Sequence, residues 1–323
     1  MQLPRLRRMI RTLRRPEQKF ASLGFVLAYH RVAEVEHDPW ELCVTPERFA
    51  EHLEVLRIQR RPVVPSSSIA KGEAPKNAVA ITFDDGYLDN LVSAAPALER
   101  AGMPATFFIT TGCIGQKREF WWDELEKILL GEPSLPPVLD LVIGGRDLSW
   151  VTFGLDSSGR NALYFAVWEA LVNVPEGERT RVLDQLLKWS AASPTIRESH
   201  RTLCDVGLRQ LASHDLVQIG AHTVSHPVLP NLSPALQRQE IAQSKNRLEE
   251  MINRRPVTEI SYPHGRHDAI TRAMARDAGL SRGYTTQASP VSSADDPFSV
   301  PRVCIGDWTG DEFAWHLRCN FNS

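Results

Sequence analysis

No stretch of this 323-residue chain approaches 18 consecutive apolar residues, so no transmembrane helix is expected. Cysteine is scarce. The five (Cys43, Cys113, Cys204, Cys304, Cys319) are scattered without a CxxC pair, and their odd number leaves at least one thiol unbridged. In a chain this long they make no disulfide framework, and a reducing compartment suits them. A secretory leader is not expected either. The moderately apolar Phe20–Tyr29 runs straight into His30-Arg31 without a small-x-small cleavage site, so a cytoplasmic location is expected. Repeats of fixed period and low-complexity tracts are absent. Net charge is small as well, at −2.

That small total hides an asymmetry. Residues 1–15 hold six arginines and no acid, which leaves the remainder of the chain at −8. An acidic body argues against a nucleic-acid groove as the main business of the protein. In the basic segment, residues 1–20, Leu3, Leu6, Met9, Ile10 and Leu13 alternate with arginines in the spacing of a short helix with an apolar stripe. Such a helix can rest on an anionic membrane face, here the inner one, or on a partner; a solvated, frayed end is the alternative. The rest, 42% hydrophobic and 24% charged over the whole chain, is ample for a large core.

Short apolar runs alternate with helix-like stretches. Strands are expected at Phe25–Tyr29, Ala78–Phe83, Ala105–Thr110, Leu216–Gly220, Glu259–Tyr262 and Val300–Ile305, with a weaker one at Gly283–Thr286. The helices between them carry start and stop signals: Asp89 to Gly102, Ser233-Pro234 onward, and Asp268 to Gly279. This order reads as βα units around parallel strands, whose active sites lie at the carboxyl ends of the strands. Residues from about 116 to 205 break the rhythm. They carry Trp121, Trp122, Trp150, Trp168 and Trp189 and read as a helical and loop insertion.

Two strand ends carry candidate chemistry. Directly after the apolar run Ala78–Ile81 comes Thr82-Phe83-Asp84-Asp85-Gly86-Tyr87, in which one carboxylate can bind a cation while its neighbour serves as a base; a plain Asp-Gly turn is the alternative. After another comes His222-Thr223-Val224-Ser225-His226. On a helical turn, histidines at i and i+4 face the same way and can share a metal. Satisfied structural histidines remain the alternative. An aspartate added to the pair gives three protein ligands with positions left open, the mark of a catalytic divalent site.

TFDDGY at 82–87, HTVSH at 222–226 and SYPHG at 261–265, in that order, resemble the polysaccharide deacetylase family, the NodB-homology domain of carbohydrate esterase family 4. The resemblance covers roughly residues 21–310. It implies an α/β fold, a distorted TIM-like (β/α)7 barrel with the helical insertion, occupying residues 21–323. It implies a hydrolase of carbon–nitrogen bonds that de-N-acetylates a saccharide, whether oligomer, polymer or lipid-linked sugar. By resemblance Asp84 is the catalytic base, Asp85, His222 and His226 are the metal ligands, and the backbone N–H of Tyr87 holds the oxyanion. Zn²⁺ is the expected ion, with Co²⁺, Ni²⁺ or Mn²⁺ as alternatives.

The sequence departs from the family pattern in two places. A late histidine that would protonate the leaving amine is missing from Val300–Ile305; His30, at the end of an early apolar run, is the substitute expected, since first and last strands of a closed barrel are neighbours. Many relatives carry an arginine at the Ser261 position against the catalytic aspartate. Here Arg302 or Arg266 would replace it. Tyr262 and His264 either line the acetyl pocket or shape the turn imposed by Pro263 and Gly265. Trp121 and Trp122 are candidates for sugar stacking or for core, and Cys113 reads as a packing residue rather than a nucleophile. A catalytically silent carbohydrate-binding relative and a member acting on another amide, such as peptidoglycan or a small cyclic amide, are the competing readings.

Overall fold

The computed structural model describes residues 22–319. The basic segment expected at 1–20 lies outside the described residues. Seven strands form the core: β1 (Ser22–Tyr29), β2 (Val79–Phe83), β3 (Ala105–Ile109), β4 (Val217–Ala221), β5 (Glu259–Ser261), β6 (Arg282–Tyr284) and β7 (Val303–Cys304). Successive strands from β1 to β6 pair in parallel, and β7 returns to pair in parallel with β1. A parallel bridge between Tyr284 and Val300 carries the last segment across from β6. The curled sheet therefore closes as an irregular barrel, with its first and last strands adjacent. β2 and β3 are buried at every position, as strands covered on both faces must be. Across them Phe83 and Phe107 are in register and stack at 4.7 Å.

The expected strands recur within three residues at each end, except the last. Of Val300–Ile305 only Val303–Cys304 forms a ladder with β1, because Pro301 brings no N–H and breaks the run. The helices obey their caps. Ser233 accepts from the Leu236 N–H ahead of Pro234–Met251. Asp268 and Thr271 form a reciprocal capping box ahead of Ala269–Asp277. Gly102 takes the left-handed conformation that ends Ala95–Ala101.

Between β3 and β4 the chain builds a body with its own apolar cluster. Helices Ser157–Leu171 and Glu176–Ser190 pack Leu163, Val167, Leu171, Val182 and Leu186 together. Against them lies an antiparallel hairpin, Val138–Ile143 with Arg146–Val151, turning at Gly144 and Gly145, both at positive φ. The hairpin adds to the helical insertion something the sequence reading did not contain. Leu139, Leu141 and Ile143 point inward, but Val138 and Val142 are also apolar and half exposed, which blurs the period-two signal. Among the described residues no helix is long and apolar enough to cross a membrane.

Candidate metal centre and active site

The turn after β2 starts where the Asp84 N–H donates to the Tyr29 carbonyl at 3.0 Å. Asp85 then adopts φ +74° and Gly86 φ +89°, and this left-handed pair sends the two carboxylates apart. Glycine is required at 86: a Cβ there would lie 3.1 Å from the Ile109 side chain.

Asp85 turns toward the loop after β4. Its Oδ1 lies 3.4 Å from His222 Nε2 and 3.4 Å from His226 Nε2. It is buried and has no hydrogen-bond partner among the described residues. The three donor atoms lie within 4.8 Å of one another. Donors held about 2.0–2.1 Å from a tetrahedral ion stand roughly 3.3–3.5 Å apart, so the spacing fits a divalent cation better than a set of hydrogen bonds. His222 Nδ1 faces the Ser261 carbonyl at 2.8 Å, which assigns the proton to Nδ1 and leaves the Nε2 lone pair for a metal. Burial pushes the His226 imidazole far below its usual range and keeps it neutral, as a ligand must be.

The expected helical turn between the histidines is not there. Thr223 (φ +65°) and His226 (φ +57°) are left-handed, and the segment is a tight loop. Glu240, on helix Pro234–Met251, holds it. Its Oε2 accepts the N–H groups of Val224 (2.8 Å) and Ser225 (2.9 Å), and its Oε1 accepts the Ser225 hydroxyl.

Asp84 faces the other way. Arg302 Nη1 donates to its Oδ1 at 2.8 Å and Nη2 to its Oδ2 at 2.6 Å, while the Ser261 hydroxyl adds a bond to Oδ2 at 3.0 Å. The guanidinium also donates to Thr82 Oγ1 and to the Thr285 carbonyl, and it is wholly buried. Burial alone would raise the Asp84 carboxyl; Arg302, with His222 and His30, outweighs it and holds the group well below the usual range. Arg302 thus takes the place expected of an arginine at Ser261, but from behind Asp84. It does not line the cavity, so the sequence-based grouping of Arg302 with substrate contacts is corrected. Arg266 is exposed at the cavity rim, away from this pair.

A cavity of about 560 Å³ opens over these groups, lined by His30, Asp84, Asp85, His222, His226 and His264. His30 follows β1, with its carbonyl held by Asn90 Nδ2 at 2.9 Å. Its Nδ1 is buried without a partner among the described residues. Burial lowers its imidazole, and the carboxylates of Asp85 and Asp84 pull the other way. His264 packs edge-on against His226 at 4.6 Å, and burial lowers its imidazole to about 4.

Tyr87 points its side chain out of the cavity. Its hydroxyl donates to Asp123 Oδ2 at 2.7 Å and accepts from Trp122 Nε1 at 2.8 Å, so its side chain is engaged away from the cavity. Tyr262 is not brought to the cavity at all. Its ring is buried in the barrel core and its hydroxyl donates to the Phe298 carbonyl, because Gly283 leaves space for it beneath β6. The side chains that sequence reasoning missed are Ser261 as a donor to Asp84, Glu240, Trp40 and Asp123. Glu240 had a signal in the loop it serves, which exposes N–H groups that need an acceptor. Burial pushes the Cys113 thiol up to about 12, away from the thiolate form that a nucleophile needs.

A family model described as polysaccharide deacetylase matches residues 71–130 and 192–283, leaving out most of the body between β3 and β4. A curated relative, the putative polysaccharide deacetylase YxkH of Bacillus subtilis (strain 168), is 23% identical over 299 residues, covering 91% of this chain and 75% of its own. Among solved structures, IcaB from Ammonifex degensii aligns with a TM-score of 0.59 at 18% identity, covering 93% of this chain and 99% of its own. The Streptococcus pyogenes deacetylase PplD, in complex with acetate, aligns at 0.55 and 18% identity, covering 92% and 99%. These structures share the fold, a distorted (β/α)7 barrel. The chain belongs to the polysaccharide deacetylase family, hydrolases of non-peptide carbon–nitrogen bonds.

Proposed function

We propose that this protein removes the acetyl group from an N-acetylated saccharide, with a divalent ion held by Asp85, His222 and His226. The observation that carries the reading is the unpartnered Asp85 Oδ1, 3.4 Å from both histidine nitrogens, beside the Asp84–Arg302 pair. Imidazole and carboxylate donors suit Zn²⁺, and Co²⁺, Ni²⁺ or Mn²⁺ can enter the same set. When bound, the ion supplies Lewis acidity to the acetamide carbonyl and to the attacking water.

The remaining work falls to the chain. Asp84, kept ionised by Arg302, takes the proton of the attacking water. Its Oδ1 carries one protein donor and its Oδ2 carries two, so Oδ1 offers the freer lone pair. The Tyr87 N–H steadies the oxyanion that forms on the former carbonyl. His30 gives a proton to the nitrogen as the carbon–nitrogen bond breaks, and acetate and a free amine leave. Acetate release from N-acetylated oligosaccharides, measured before chelation, after it and after restoring Zn²⁺, tests the reading. Release is expected to vanish on chelation and return with the ion. Undiminished release after chelation rejects the metal assignment, and no release from any sugar rejects deacetylation.

A further inference from the structure

The body between β3 and β4 overhangs the cavity, and two of its contacts with the barrel lie at the mouth. At the first, Trp40, from the loop after β1, donates its indole N–H to the Tyr164 hydroxyl at 3.0 Å and packs on Trp168 at 4.6 Å. At the second, Asn231, from the loop after β4, donates through Nδ2 to Asn173 Oδ1 at 2.7 Å. β1 and β4 stand three strands apart in a ring of seven, so the pins lie on opposite sides of the barrel mouth. Between them Trp122 approaches the proposed ligand His226 at 4.8 Å and Trp168 approaches the neighbouring His264 at 5.8 Å, so indole rings overhang the site. The space that remains, about 560 Å³, falls within the roughly 300–1,000 Å³ of small-molecule sites.

An interior residue of a polysaccharide has chain leaving it in two directions. Its acetamide reaches a recessed centre only along a groove open at both ends. Here both flanks are walled. We propose that the pocket admits a terminal N-acetylated sugar ring, entering end-on, and that the Trp40–Tyr164 and Asn231–Asn173 pins exclude interior residues of long chains. The indoles of Trp122 and Trp168 line the cavity and offer apolar surface against which a single pyranose can lie. The rest of the molecule, whether a short oligomer or a non-sugar anchor, stays outside the mouth. This assignment takes its chemistry from the deacetylase reading, but the shape of the pocket does not depend on it.

The test uses the Zn²⁺-loaded protein with methyl glycosides of N-acetylglucosamine and N-acetylgalactosamine, their linear tetramers, and a long N-acetylated polymer. Tandem mass spectrometry locates each lost acetyl group, and indole emission reports binding without turnover. Emission is expected to respond to glycosides and tetramers. Each tetramer is expected to lose one acetyl group, from a terminal ring, with the polymer at least about tenfold slower per residue. Asn173→Ala and Asn231→Ala, both at exposed positions, are expected to raise the polymer-to-glycoside rate ratio by about fivefold or more. Interior rings deacetylated within about twofold of terminal ones, or an unchanged ratio in both variants, overturns the proposal. An emission response without acetate keeps the end-on pocket and rejects the deacetylase reading. No emission response and no acetate overturns both.

Discussion

Both oxygens of Asp84 are taken up by Arg302, and Ser261 adds a third donor to the pair. A bidentate guanidinium is the arrangement that keeps a buried carboxylate ionised, and a lysine cannot reproduce its fork. Breaking such a pair leaves a bare buried charge. Arg302→Met is therefore expected to lower unfolding stability by about 3–5 kcal/mol, measured by urea denaturation. A loss below about 1 kcal/mol would show that Asp84 is solvated after all. His30→Ala is expected to lower turnover by about 10²–10⁴-fold with bound metal unchanged; near-normal turnover removes His30 as the acid. The Asp-Asp pair and the spaced histidines were legible because their chemistry is written in adjacent letters. The partner of Asp84 was only half legible, since 218 residues separate it from Arg302. Its signal was a charge inside an apolar run, which burial obliges to find a counterion.

At the scale of elements, caps and glycine stops were readable because each is set by one or two local side chains. The loop from His222 to His226 was misread as a helical turn for the opposite reason. Its shape is imposed from outside, by three hydrogen bonds from a glutamate on the following helix. Glu240→Ala is expected to weaken Zn²⁺ binding about 10–100-fold in a competition titration while the far-ultraviolet circular dichroism stays unchanged. Unaltered affinity would show that the loop holds its own shape. The hairpin at 138–151 escaped notice because its outward valines fill positions where alternation calls for polar residues. Tyr262 was misplaced by adjacency: it follows β5 directly, yet the absence of a side chain at Gly283 draws it inward.

Over the whole molecule, the barrel and the body between β3 and β4 have separate apolar cores, and buried polar groups join them. Asp123 is one, tied to Tyr87 in the turn after β2. Burial pushes its carboxyl up to about 7, with Arg31 and the Tyr87 hydroxyl opposing. The folded state therefore holds a proton here more firmly than the unfolded chain, where the group titrates near its ordinary 3.8. This contribution to stability is fully present below that ordinary value and is lost as pH rises to about 7. Asp123→Asn cannot titrate. The stability of the wild type relative to this variant is expected to fall as pH is raised from about 4.5 to 7.5, followed by thermal unfolding. A constant difference would place the Asp123 carboxyl at its ordinary value.

The barrel closes between its first and last strands, with His30 beside the seam on one and Arg302 beside it on the other. A ribosome therefore delivers the carboxylate of Asp84 long before the guanidinium that makes its burial tolerable. Without that arginine, closing the barrel would seal in an uncompensated charge, so closure is costly until Arg302 is in place. Completing the seam and completing the Asp84–Arg302 pair are therefore one and the same closure.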